Sequence, residues 1–168
     1  MTENVRGELF LMIGNITDPL LSTLTMVALQ EAPAHFWHKP SSAGNHHPSD
    51  EHGEGGLSLH SLRVARICWV LCQSRPELNP DVILSAGILH DIGRYGLGEA
   101  PTQYSLPDHP DIGARFLREL GSEMIEEVAC AVETHTGRWG KILPRNETEW
   151  LVHYADCIAA NYLEWNGR

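Results

Sequence analysis

The 168-residue chain is 42% hydrophobic, carries no extended low-complexity run, and fits one compact domain large enough to bury about two thirds of its unfolded surface. Its 22 acidic and 12 basic residues give a formal charge of −10, which argues against non-specific adhesion to DNA, RNA or an anionic membrane. Cys68, Cys72, Cys130 and Cys157 form no CxxC pair and lie in apolar helical contexts, so neither a disulfide framework nor a thiolate zinc site is expected.

In chain order, residues 3–16 and 18–31 read as two short helices, the second opening at Asp18-Pro19 in the cap-then-proline order. The apolar run Leu9 to Ile13 is too short and too acidic in its flanks for a signal peptide or membrane span, which makes a cytoplasmic protein the default. From Ala32 to Gly56, prolines, glycines and histidines interrupt any period, and a loop of that length reads as a lid or substrate loop. The pair Phe36-Trp37 and the polar run through His46 and His47 favour that role. A helix over 57–74 follows, with Val64, Ile67 and Leu71 at spacings that put His60 on the same buried stripe.

Asn79-Pro80-Asp81 opens the next helix, whose apolar face Val82, Ile83, Ala86, Leu89 runs into His90-Asp91, with Gly87 placed for close approach of a backbone or an ion. A loop covers 94–107. Asp108 and Pro110 then start a helix with His109 at its entrance, and a helix beginning at Ser122 carries a stripe through Val128 and Val132 to His135. Asn146 and Glu149 form a capping pair for the last helix, on whose buried side Asp156 falls, between Val152 and Ala159. No strand-like alternation of useful length occurs. The expected fold is an all-α bundle of about six or seven helices.

Separate helices or helix ends therefore direct His60, His90 with Asp91, His109, His135 and Asp156 inward. An ionised aspartate on an apolar face costs several kcal/mol unless it is paired or binds a cation, and imidazoles with carboxylates satisfy a divalent ion directly. This donor set fits Fe, Mn, Co, Ni or Zn better than Mg.

The order of His60, His90-Asp91 and Asp156, with the strings LSLHSLRVARI, AGILHDIGR and LVHYADCIAA, resembles the HD-domain superfamily of metal-dependent phosphohydrolases over roughly residues 32–163. The resemblance implies a metal site of His60, His90, Asp91 and Asp156. His109 and His135 resemble the extra ligands of dinuclear members, including HD-GYP phosphodiesterases and bacterial diiron dinucleoside tetraphosphatases. The paired histidines and Gly-Tyr-Pro element of HD-GYP proteins are missing, so cyclic di-GMP hydrolysis is not implied. The stretch HHPSDEHGEGGLSLH is similar to the approach to the first ligand in several HD hydrolases, among them HD modules of exoribonucleases.

The implied organisation is a single HD-type domain over 1–168, with N-terminal helices at 1–31, the lid or substrate loop at 32–56 and a metal-binding core at 57–163. The implied function is hydrolysis of a phosphomonoester or phosphodiester in a nucleotide or small phosphorylated metabolite, by a metal-activated water. Two divalent transition-metal ions would share Asp91. Asp91, Arg94 and His52 are the expected catalytic groups, and Lys39, His46, His47, Arg138, Trp139 and Lys141 the expected substrate contacts. The expected partners are a small phosphorylated substrate and a second copy in a homodimer, with no extended nucleic acid and no membrane. A diiron HD-type oxygenase and a non-catalytic nucleotide-sensing module are the alternatives.

Overall fold

The computed structural model describes residues 2–41 and 47–161, and every regular element among them is helical. The α-helices are α1 (Thr2–Ile13), α2 (Pro19–Gln30), α3 (Ala34–His38), α4 (Gly56–Cys72), α5 (Pro80–Leu89), α6 (His109–Arg118), α7 (Glu126–Thr134) and α8 (Glu147–Asn161). The all-α expectation is met. The helix count exceeds six or seven because α3 lies inside the segment read as a loop. No described helix is long and apolar enough to cross a membrane.

Helix α3 shows why that segment was misread. Pro33 precedes it, and five residues cannot display a helical period, yet Phe36 and Trp37 are buried. Trp37 lies edge-on to Phe36, stacks on Phe10 of α1 and lies 4.9 Å beneath the Arg6 guanidinium. These aromatics belong to the core, so they give no support to a lid.

The centre of the bundle is α5. Every residue from Asp81 to Leu89 is buried, where the sequence suggested one apolar face, because α1, α2, α4, α7 and α8 all pack around it. Gly87 permits the closest of these contacts. A Cβ there would stand 2.8 Å from Cys68 Sγ and 3.2 Å from Ala65 Cα of α4, so the glycine serves helix packing. At the opposite end, buried Asp81 accepts hydrogen bonds from Thr17 N, Thr17 Oγ1 and Asp18 N at 3.0, 2.9 and 2.8 Å, tying the α1–α2 turn to α5.

The capping signals fared unevenly. Asp18 and Asn79 accept from backbone amides at the starts of α2 and α5, and Asn146 and Glu149 bond reciprocally at 2.9 and 3.0 Å. Asp108, expected to cap α6, makes no side-chain cap bond; its φ of −101° and ψ of 17° are not the extended geometry that a capping side chain needs. Ser122 caps a short 3-10 turn, Glu123–Ile125, which leads into α7. All four cysteines are free thiols.

Candidate metal centre

Each candidate ligand is delivered by a helix or helix end. His90 and His135 follow the last residues of α5 and α7, where terminal carbonyls lack intrahelical partners. His90 Nδ1 donates to Gly87 O at 3.0 Å and His135 Nδ1 to Val132 O at 2.7 Å. His109, at the start of α6, donates Nδ1–H to Leu106 O at 2.6 Å. In all three the backbone claims the Nδ1 proton, so Nε2 carries the lone pair toward the pocket.

Gly93 brings α6 to the end of α5. A Cβ at this position would lie 2.8 Å from both Gly113 N and His109 O, so any side chain would push His109 away from Asp91. As built, His109 Nε2 lies 3.0 Å from Asp91 Oδ1 and His135 Nε2 3.5 Å from it. His90 Nε2 stands 3.6 Å from Asp91 Oδ2 and 3.9 Å from Asp156 Oδ1, while His60 Nε2 meets Asp156 Oδ1 at 2.9 Å. All six residues named from the sequence meet in one buried cluster.

The cluster fits a cation. His60, His90 and Asp156, and likewise His90, Asp91 and His135, present donor atoms within 4.8 Å of one another. His90 Nε2 and Asp91 Oδ1 are buried without a hydrogen-bond partner among the described residues, an arrangement that is costly unless an ion or proton satisfies it.

Charge on the side chains of the pocket is distributed accordingly. Burial drives His90 down to about 4. Burial also opposes charge on His60, but its contacts with Asp156 and Glu51 raise it to about 9. His135 is raised by Asp91 against its burial. Burial would raise Asp91, yet the Arg94 guanidinium and neighbouring imidazoles hold its carboxyl well below the usual range, and Asp156 is held low in the same way by His60 and its neighbours.

The remaining expected residues divide. Arg94 reaches the pocket, with Nη1 2.5 Å from Asp91 Oδ2. His47 also borders it, its ring centroid 4.5 Å from that of His60. His46 lies outside the described residues. His52, expected as a catalytic acid, is exposed and bonds through Nε2 to His47 O at 2.8 Å; the 3-10 turn Ser49–Glu51 ahead of it turns Glu51 inward and leaves His52 outside. Lys39 packs its ammonium 5.3 Å from the Tyr95 ring centroid. Arg138 and Trp139 are exposed, and Lys141 is an exposed partner of Asp111 at 2.6 Å.

Two residues that the sequence did not flag join the site. His153 donates from Nδ1 to His135 O at 2.7 Å and supports that residue from α8. Glu51 is fully buried beside His60 and His47; burial would raise its pKa, but those imidazoles and Arg63 hold it at about 2. Its only sequence signal is its place nine residues before His60 in a His-rich segment.

An all-helical pocket of histidine and carboxylate donors defines this protein as a metal-binding helical bundle. The HD domain family matches residues 57–161, and the chain belongs to that family. The chain is also similar to the 3'-5' exoribonuclease YhaM of Bacillus velezensis, with 26% identity over 97% of this chain and 54% of the relative. The YhaM exoribonucleases of Listeria welshimeri and Bacillus subtilis are 24% and 26% identical, over 95% and 88% of this chain and 54% and 51% of theirs. The chain thus spans about half the length of these curated relatives. No solved structure matches it.

The comparisons agree with the expectation of a metal-dependent hydrolase of phosphoric esters. They overturn the expected partners: relatives named as ribonucleases contradict the exclusion of extended nucleic acid. That exclusion rested on net charge, whose effect beyond about 8 Å is screened at physiological salt, whereas contact with a phosphate depends on the local field.

Proposed function

We propose that this protein is a metal-dependent phosphodiesterase acting on RNA, removing nucleotides from the 3' end as the names of its relatives describe. The observation that carries the reading is the convergence of four imidazole Nε2 atoms and two carboxylates on one buried pocket in an HD domain chain. His60, His90, Asp91, His109, His135 and Asp156 would hold the metal. When bound, divalent ions supply charge for the phosphoryl oxygens and an acidified water as nucleophile.

A second ion is supported by the two-sided use of Asp91. Its Oδ1 faces His109 and His135, and its Oδ2 faces His90 and Arg94. His60, His90 and Asp156 would serve one ion, and His109 and His135 the other. Arg94 remains against Asp91 as the cation of the pocket, where it orients that carboxylate and presents positive charge to an incoming phosphate. His47 is placed to hold or move a proton at the pocket edge, in the role first expected of His52. We assign the whole chain to one HD-type unit, with the substrate segment limited to residues 39–56 after α3. Exposed Trp139 and Arg138 offer a stacking face and a charge for RNA.

The test uses single-stranded RNA labelled at either end, chelator-stripped protein and added Mn²⁺. Progressive shortening of the 5'-labelled strand, with label released as mononucleotide from the 3'-labelled strand, is expected. Cleavage in the absence of metal, or inert RNA with every divalent transition metal, would overturn the reading.

A further inference from the structure

Three of the four pocket imidazoles are anchored by a backbone carbonyl; His60 is not. Its Nε2 donates to Asp156 Oδ1 at 2.9 Å, while its Nδ1 has no hydrogen-bond partner among the described residues and faces Glu51 Oε2 at 3.2 Å. The same Glu51 oxygen accepts from His47 Nδ1 at 2.9 Å. Its other oxygen takes Arg63 Nη1 at 2.5 Å, and Arg63 Nη2 is held in turn by Asp50 at 2.5 Å.

Local backbone structure delivers this carboxylate. Ser41 N donates to Glu51 O at 3.1 Å and Leu57 N to Lys39 O at 2.9 Å, so the segment folds back on the start of α4. Gly56 is what lets it close, since a Cβ there would fall 1.9 Å from Glu51 O.

We propose that Glu51 is a positioning residue of the metal centre: its carboxylate holds a proton on His60 Nδ1, aims His60 Nε2 at Asp156 and His90, and aligns His47 at the edge of the same pocket. The proposal rests on the reading of His60 as a metal ligand. A carboxylate beside the far nitrogen of a ligating histidine fixes the ring and raises its basicity, so Glu51 does with a side chain what Gly87 O, Leu106 O and Val132 O do with the main chain. His47, Glu51 and His60 lie close enough to hold an ion themselves. Two facts favour positioning. Arg63 already neutralises Glu51, and His60 cannot offer Nδ1 to one cation and Nε2 to another without losing its remaining proton.

The experiment compares wild type, Glu51→Gln, Glu51→Asp and His60→Ala, each stripped of metal. Mn²⁺ affinity and stoichiometry are read by calorimetry, and the protonated His60 nitrogen by long-range ¹H–¹⁵N correlation after each protein is loaded with diamagnetic Zn²⁺, which displaces one ring proton. Glu51→Gln is expected to weaken Mn²⁺ binding roughly 10- to 100-fold at unchanged stoichiometry and to give mixed His60 tautomers, with partial recovery in Glu51→Asp. Affinity and tautomer both unchanged in Glu51→Gln would overturn the proposal, as would the loss of one ion at full affinity for the rest, which would make Glu51 a ligand. If His60→Ala alone loses Mn²⁺, the metal reading survives a failed Glu51 proposal; if all variants bind equally, both fall. Should Glu51→Gln not fold, a wild-type His60 tautomer and wild-type Mn²⁺ affinity in Glu51→Asp would overturn the charge-dependent alignment.

Discussion

His109 Nε2 and His135 Nε2 lie 3.3 Å apart, and both face Asp91 Oδ1. Each ring donates its Nδ1 proton to a backbone carbonyl, so neutral rings would bring three lone-pair acceptors together with no hydrogen between them. Protonation or a cation resolves that conflict. The pocket is built around a positive charge that the side chains only partly supply.

Asp91 is then needed twice. Asp91→Ala is expected to abolish metal binding and RNA cleavage. In the metal-free protein it also strips Arg94 of its buried partner, which should cost about 3–5 kcal/mol. Chemical denaturation of metal-free wild type and variant checks this. A stability loss under about 1 kcal/mol would mean that Arg94 finds another partner.

The pH dependence of the metal-free protein follows from His60 and His90. His60 is raised to about 9, so the folded state holds its proton more tightly than the unfolded chain. That stabilisation is full below the unfolded value of about 6.5 and is lost as pH rises toward 9. His90, lowered to about 4, acts oppositely: its contribution is full above about 6.5 and is lost as pH falls toward 4. Melting temperatures across pH 4–9.5 should show a maximum near neutrality. Because metal must displace the His60 proton, apparent Mn²⁺ affinity should rise up to tenfold per pH unit between roughly 7 and 9.

Gly137 has a φ of 55°, and a Cβ there would lie 2.4 Å from the His153 ring. Gly137→Ala should displace His153 from His135 O, cost about 1–3 kcal/mol, and weaken metal binding although it changes no ligand. Gly98→Ala, with open space around its Cβ, should change stability by no more than about 0.5 kcal/mol. Equal melting temperatures for the two variants would remove the supporting role given to His153.

Trp139 is 80% exposed, and its ring centroid lies 6.0 Å from that of His153. If it stacks on an RNA base, Trp139→Ala should raise KM for RNA roughly tenfold with little change in kcat or melting temperature, since a base stack is worth about 1–3 kcal/mol. An unchanged KM would assign the residue to the surface.

The clustering of the six candidate residues was legible because each ends or lies on an apolar stripe. His90 and His135 terminate α5 and α7, and Asp156 follows Val152 by one turn, so periodicity pointed them inward. Glu51 was not legible. It sits on a three-residue 3-10 turn, where no period exists, and its burial depends on contacts with α4 that no local pattern encodes. That His47 borders the pocket while His52 stays outside was not legible for the same reason. The one-sided reading of α5 failed because helices surround it, and helical period cannot distinguish one packed face from complete burial when the outer residues are also apolar.

The turn between α1 and α2 bears on where this domain begins in physical terms. Asp81 takes three donors from Thr17 and Asp18, at one end of a ten-residue helix whose other end delivers His90 and Asp91 about 15 Å away. A fragment starting at residue 57, where the family match begins, would leave that carboxylate facing a vacated apolar surface and free the helix to shift along its axis. The first two helices thus act as a thrust bearing for α5, setting the depth at which His90 and Asp91 enter the pocket.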